Sequence, residues 1–89
     1  MGYHKPVQKK HPRTMERVFS RPTLGAIKWG DIEALFIALG SKVEERAGSR
    51  VAVVLDQSVQ IFHRPHPGPD TDKGAVAAVR TFLTNNIRP

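Results

Sequence analysis

The chain has 89 residues, 39% of them hydrophobic, with seven glycines, seven prolines, no cysteine and a formal net charge of +6. That is enough chain for one compact domain with a modest core. It excludes a disulfide framework and a thiolate zinc site, and no apolar run approaches the roughly 20 residues that cross a bilayer. The first twenty residues carry no apolar signal-peptide region, so a cytoplasmic protein with no membrane association is expected.

The charge is concentrated at one end. Residues 1–30 hold seven Lys and Arg against the single Glu16, whereas residues 31–89 hold seven basic and seven acidic residues. Residues 1–12, with Lys5, Lys9 and Lys10, therefore read as a basic flexible leader. Such a leader suits a grip on phosphate backbones or on an acidic partner, or serves as a solubilising tail.

From Pro12 the pattern changes. Met15, Val18 and Phe19 fall at i, i+3 and i+4 and predict a short helix over about 13–20, followed by a linker through Pro22 to residue 25. Next, Asp31 and Glu33 sit in a first helical turn, and Ile32, Leu35, Phe36 and Leu39 recur at helical spacing. Gly40 supplies the stop. Trp29, just before this helix, is read as a hydrophobic staple.

Lys42 to Arg46 is a weak strand pattern. Gly48 and Ser49 then turn the chain into Arg50–Leu55, where Val51, Val53 and Leu55 share one face and Arg50, Ala52 and Val54 the other. A short connection through Asp56, Gln57 and Ser58 leads to a third strand over 59–63, with Val59, Ile61 and His63 on one face. Pro65, Pro67 and Pro69 make residues 64–70 a stiff extended loop. The last helix is capped by Asp70, Thr71 or Asp72, carries Val76, Val79, Phe82 and Leu83 on its apolar face, and ends at Asn85 and Asn86. The expected fold is α+β: an αβββα domain over 26–89, its three-stranded antiparallel sheet covered on one face by two helices, preceded by the short N-terminal helix.

This ordered combination resembles the HicA family, small messenger-RNA-cleaving toxins of bacterial type II toxin–antitoxin systems with a double-stranded-RNA-binding-domain-like fold. The resemblance runs from about Lys28 to Ile87. It rests on the helix ending in Leu39-Gly40, the Gly48-Ser49 turn, the third strand leading into Pro65-His66, and Lys73-Gly74 opening the last helix. It implies RNA, specifically mRNA, as substrate, a HicB-like antitoxin as protein partner, and neither a small-molecule cofactor nor a metal. The family pattern has its catalytic histidine right after the Gly-Ser turn, where this chain has Arg50. Arginine stays protonated and holds phosphate but cannot accept the 2′-hydroxyl proton, so either the base has moved or cleavage is lost.

Imidazole suits both the base and the acid of RNA cleavage because its pKa lies near neutrality. His66, in the proline-stiffened loop, is the preferred catalytic candidate. His63 is the second, although its shared face with Val59 and Ile61 favours a half-buried sheet position over a catalytic one. As a metal pair, His63 and His66 have only Asp70 and Asp72 beside them, too weak a ligand set to pursue. The RNA-binding candidates are Ser49 and Arg50 at the turn, Arg64, Lys73 at a helix N-terminus, and Lys9 and Lys10 of the leader. Arg50 and Arg64 on one surface with Phe62 would make a stacking platform for an unpaired base, but the preferred reading packs Phe62 under the first helix with Met15 and Phe19, since an exposed Phe is costly in so small a protein.

Overall fold

The computed structural model describes residues 10–66 and 68–86. The elements in chain order are α1 (Lys10–Val18), β1 (Ile27–Lys28), α2 (Trp29–Ala38), β2 (Lys42–Glu45), β3 (Arg50–Leu55), β4 (Ser58–His63), β5 (Asp70–Thr71) and α3 (Lys73–Asn86). Strands β2, β3 and β4 form an antiparallel sheet in that order, and β1 pairs with β5 in a separate two-stranded ribbon. The expected α+β architecture is present, with both main helices on one face of the three-stranded sheet. Phe62 of β4, Phe36 of α2 and Phe82 of α3 meet with ring centroids 5.6–6.0 Å apart. Val51, Val53, Ile32, Val76 and Val79 are fully buried around them. Burying each such side chain contributes about 1.5–3 kcal/mol, so this one face carries the core.

The local signals at helix ends act as their chemistry requires. Gly40 adopts φ +94°, its N–H donates to the Ile37 carbonyl at 3.0 Å, and Ser41 N–H donates to Phe36 at 2.9 Å. These paired bonds satisfy the last carbonyls of α2 as a Schellman motif does. At α3, Asp72 is the cap, its Oδ1 accepting the Ala75 N–H at 2.8 Å.

Four expectations need correction. The first helix begins at Lys10 and ends at Val18, and its inward residues are Thr14 and Val18 with Met15 half-buried; Phe19 lies beyond it, exposed. Trp29 is the first residue of α2 itself and a buried core member, its ring 5.8 Å from Phe62. Phe62 is buried, but beside Trp29, Phe36 and Phe82 rather than Phe19, so it is no platform for a base.

The fourth correction concerns register. The β3–β4 connection is the two residues Asp56 and Gln57, with Leu55 opposite Ser58, and Asp56 takes the positive φ of 55°. Two-residue hairpin turns need such a conformation to match strand twist. A three-residue connection would have placed Leu55 opposite Val59 and turned Val59, Ile61 and His63 toward the core. One residue fewer sends all three to the opposite face, because side chains alternate strictly along a strand. Val59, Ile61 and His63 are accordingly exposed.

Candidate functional site

The same register decides which polar residues meet. Arg50 is the Cα partner of His63, so both side chains project from the outer sheet face, where directly opposite Cβ atoms lie about 4.5–5.5 Å apart. Both residues are exposed. The Arg50 Nε donates to the Ala47 carbonyl at 3.2 Å, which folds the side chain back over the Gly48-Ser49 turn. Gly48 takes φ +68° there. Among the described residues no carboxylate pairs with Arg50.

Arg64 is engaged quite differently. Its backbone N–H donates to the Ser49 carbonyl at 2.9 Å, extending the β3–β4 ladder by one more bond. Its guanidinium reaches Glu33 of α2 through Nε at 2.8 Å and Nη2 at 3.4 Å, and Glu45 of β2 through Nη1 at 3.2 Å. The hydrogen bond to Glu33 raises the Arg64 pKa above its ordinary value, burial opposes this, and the negative charge of Glu33 reinforces it, with smaller contributions from Glu45. Glu33 also accepts the indole N–H of Trp29. Arg64 and Phe62 therefore do not flank a common surface with Arg50: Phe62 points into the core and Arg64 ties three elements together.

The first turn of α2 holds both ends of the loop that carries His66. At one end Glu33 fixes Arg64; at the other the Trp29 backbone N–H donates to the Pro69 carbonyl at 2.9 Å. His66 is exposed between these anchors. Pro67 lies outside the described residues. Beyond the loop, Lys28 pairs with Asp70 at 3.4 Å across the β1–β5 ribbon.

Lys73 opens α3, exposed, with its stem against Gly25: a Cβ on that glycine would lie 3.2 Å from the Lys73 Cγ. The Asp72 carboxylate already occupies part of the α3 N-terminus, which makes it a poorer phosphate cradle than an uncapped one. Lys9 and the Lys10 side chain lie outside the described residues. Ser49 is exposed at the turn beside Arg50. Among the described residues no group of three or more His, Cys, Asp or Glu stands in position to hold a metal, and no helix is long and apolar enough to cross a membrane.

The structure thus brings together Ser49, Arg50 and His63 at one corner of the sheet, with Arg64 behind them as a brace. Glu33 and Trp29 were not singled out by sequence reasoning as partners of this corner. The available signal was only that Glu33 is an acidic residue one helical turn after an aromatic with a donor.

A family model described as HicA toxin of bacterial toxin-antitoxin matches residues 29–83, more than half of the chain. No curated protein matches. No solved structure matches.

Proposed function

The chain belongs to the HicA toxin family of bacterial toxin–antitoxin systems, and from that membership we propose that it is a cytoplasmic toxin that binds RNA at the Arg50–His63 corner and cleaves it by imidazole acid–base chemistry. Family membership also implies a cognate antitoxin. The observation that carries the reading is the cross-strand pairing of Arg50 with His63. A phosphodiester held on the Arg50 guanidinium would lie beside an imidazole able to exchange a proton with it.

In this mechanism the 2′-hydroxyl gives its proton to one imidazole while its oxygen attacks phosphorus. The bond from phosphorus to the 5′-oxygen breaks, and that oxygen takes a proton from the acid. The products are a 2′,3′-cyclic phosphate and a 5′-hydroxyl. Arg50 stabilises charge on the non-bridging oxygens, a role that needs a permanent cation and no proton transfer. His63 is one proton-transfer group and His66 the other. Ser49 lies on the same exposed turn, Lys73 reaches phosphate from the start of α3, and Lys9 and Lys10 add electrostatic attraction.

The test is incubation of the purified protein with RNA in EDTA, with analysis for cyclic-phosphate ends. His63→Ala and His66→Ala are each expected to lower cleavage by ~10²-fold or more with RNA binding nearly intact, because proton transfer is needed only in the transition state. Wild-type activity in either variant removes that histidine from the reaction. A second reading is favoured by Arg50 itself, which stands where the family resemblance calls for histidine: a toxin-fold module that binds RNA without cutting it. Salt-dependent RNA binding with no product from the wild type would decide for that module.

A further inference from the structure

The two edges of the sheet differ in a way that the RNA chemistry does not explain. Edge strand β2 is four residues long, Lys-Val-Glu-Glu, and its charges are the kind that protect an open edge from other strands. Edge strand β4, Ser-Val-Gln-Ile-Phe-His, has six residues and neither a lysine, a carboxylate nor a proline. Its Val59 and Ile61 are 59% and 46% exposed.

The direction of the unpaired backbone groups follows from the register. In an antiparallel pair, residues alternate between those that exchange hydrogen bonds with the partner and those whose N–H and C=O point away. Arg64 N–H donates to Ser49 across the ladder, which assigns the bonded positions of β4 to Ser58, Gln60 and Phe62. Val59, Ile61 and His63 therefore direct their backbone groups outward, and among the described residues no strand pairs with them. Below this edge runs a groove of about 460 Å³ between Ser58, Val59 and Gln60 on one wall and Ala78, Thr81 and Asn85 of α3 on the other.

We propose that this edge of β4 is the docking strand for an extended segment of the antitoxin, which joins the sheet as a fourth strand; the proposal rests on the toxin–antitoxin reading above. An extended polypeptide is the occupant whose N–H and C=O groups match the free row at 59, 61 and 63; nucleic acid has no such ladder. The chemistry of the segment follows from its neighbours. Residues on its outer face lie beside Val59 and Ile61 and are apolar, and the position reaching the His63 end carries a carboxylate to meet Arg50, which has no described acidic partner. Alternate residues of the segment face the groove against α3. The +6 charge of the chain disfavours a second copy and favours an acidic partner. Docking there also covers the flank of His63, so one contact joins recognition to silencing of the cleavage site.

The experiment is amide hydrogen exchange on the full chain, alone and with its cognate antitoxin, read at Val59, Ile61 and His63. Alone, these three amides exchange fast while Gln60 and Phe62 are protected; in the complex all five are protected. Ile61→Lys, which leaves the backbone unchanged but charges the edge, is expected to weaken the complex by about tenfold or more, while Lys42→Ala on the opposite edge leaves it unchanged. A complex that forms with the 59, 61 and 63 amides still fast overturns the docking strand and leaves the toxin–antitoxin reading standing. No complex at all overturns both. Protection in the free protein that rises with concentration assigns the edge to a second copy, and protection independent of concentration assigns it to the chain's own terminal residues; either result overturns the proposal.

Discussion

Replacing Glu33 by Ala is expected to destabilise the protein by about 2–3 kcal/mol, and replacing its partner Arg64 by Ala by only ~1 kcal/mol. The asymmetry follows from what each change leaves behind. Glu33 accepts two nitrogens of Arg64 and also the Trp29 indole N–H, and its side chain is 20% exposed. Losing the pair itself costs about 1 kcal/mol once solvent screening of the Arg64 side chain is allowed for; that side chain is 34% exposed. Leaving the N–H of the buried Trp29 without an acceptor adds about 1–2 kcal/mol. Arg64→Ala loses the first contribution alone, because Trp29 keeps Glu33 and the bond to Glu45 lies at the surface, where Glu45 is 76% exposed. At about 4–8 °C per kcal/mol for a domain of this size, Tm should fall by roughly 10–20 °C in Glu33→Ala and by roughly 4–8 °C in Arg64→Ala. Thermal and urea denaturation followed by circular dichroism measure both. An Arg64→Ala variant as unstable as Glu33→Ala would refute the argument that Glu33 serves two donors. The pH dependence has a definite sign. The Arg64 pKa is raised in the folded protein, so its stabilisation is complete below the unfolded value and is lost only as pH rises through the folded one. The difference between wild type and Arg64→Ala should therefore show no change from arginine titration between about pH 6 and pH 10.

Two other outcomes follow from single positions. Gly40→Ala should cost about 1–2 kcal/mol by urea denaturation, all of it conformational, since no atom lies within 4 Å of the added Cβ and the penalty comes from φ +94°. Replacing Lys5, Lys9 and Lys10 together by Ala should lower the slope of log affinity for single-stranded RNA against log salt by about 2, at ~0.7 per phosphate contact, with Tm unchanged; an unaltered slope would show that these lysines do not touch RNA.

How far the site could be read from the sequence depended on one turn. The αβββα order, the Gly40 stop and the capping of α3 by Asp72 are local in origin. So is the exposure of His66, in a loop whose prolines exclude regular pairing. The face on which His63 lies was not legible, because reading Asp56, Gln57 and Ser58 as the connection instead of Asp56 and Gln57 shifts the register by one residue. That shift exchanges inside for outside along all of β4, and it exchanges Arg64 for His63 as the neighbour of Arg50. The β1–β5 ribbon escaped for a different reason. Its strands are two residues each, too short for any periodicity to register.

The sequence by itself determined the two main helices, the order of the three sheet strands and the helix ends at Gly40 and Asp72, because apolar spacing, caps and turn residues act over a few neighbours. It also determined that the cations outnumber the acids only in the first thirty residues. Only the tertiary structure decided which cations remain available. Arg64 and Glu33 lie 31 residues apart, and nothing local to either one indicates that the guanidinium is consumed as a brace while Arg50, beside His63, meets no carboxylate among the described residues. Such pairings are set by strand register and by the packing of α2 on the sheet, both of which depend on the whole core closing at once.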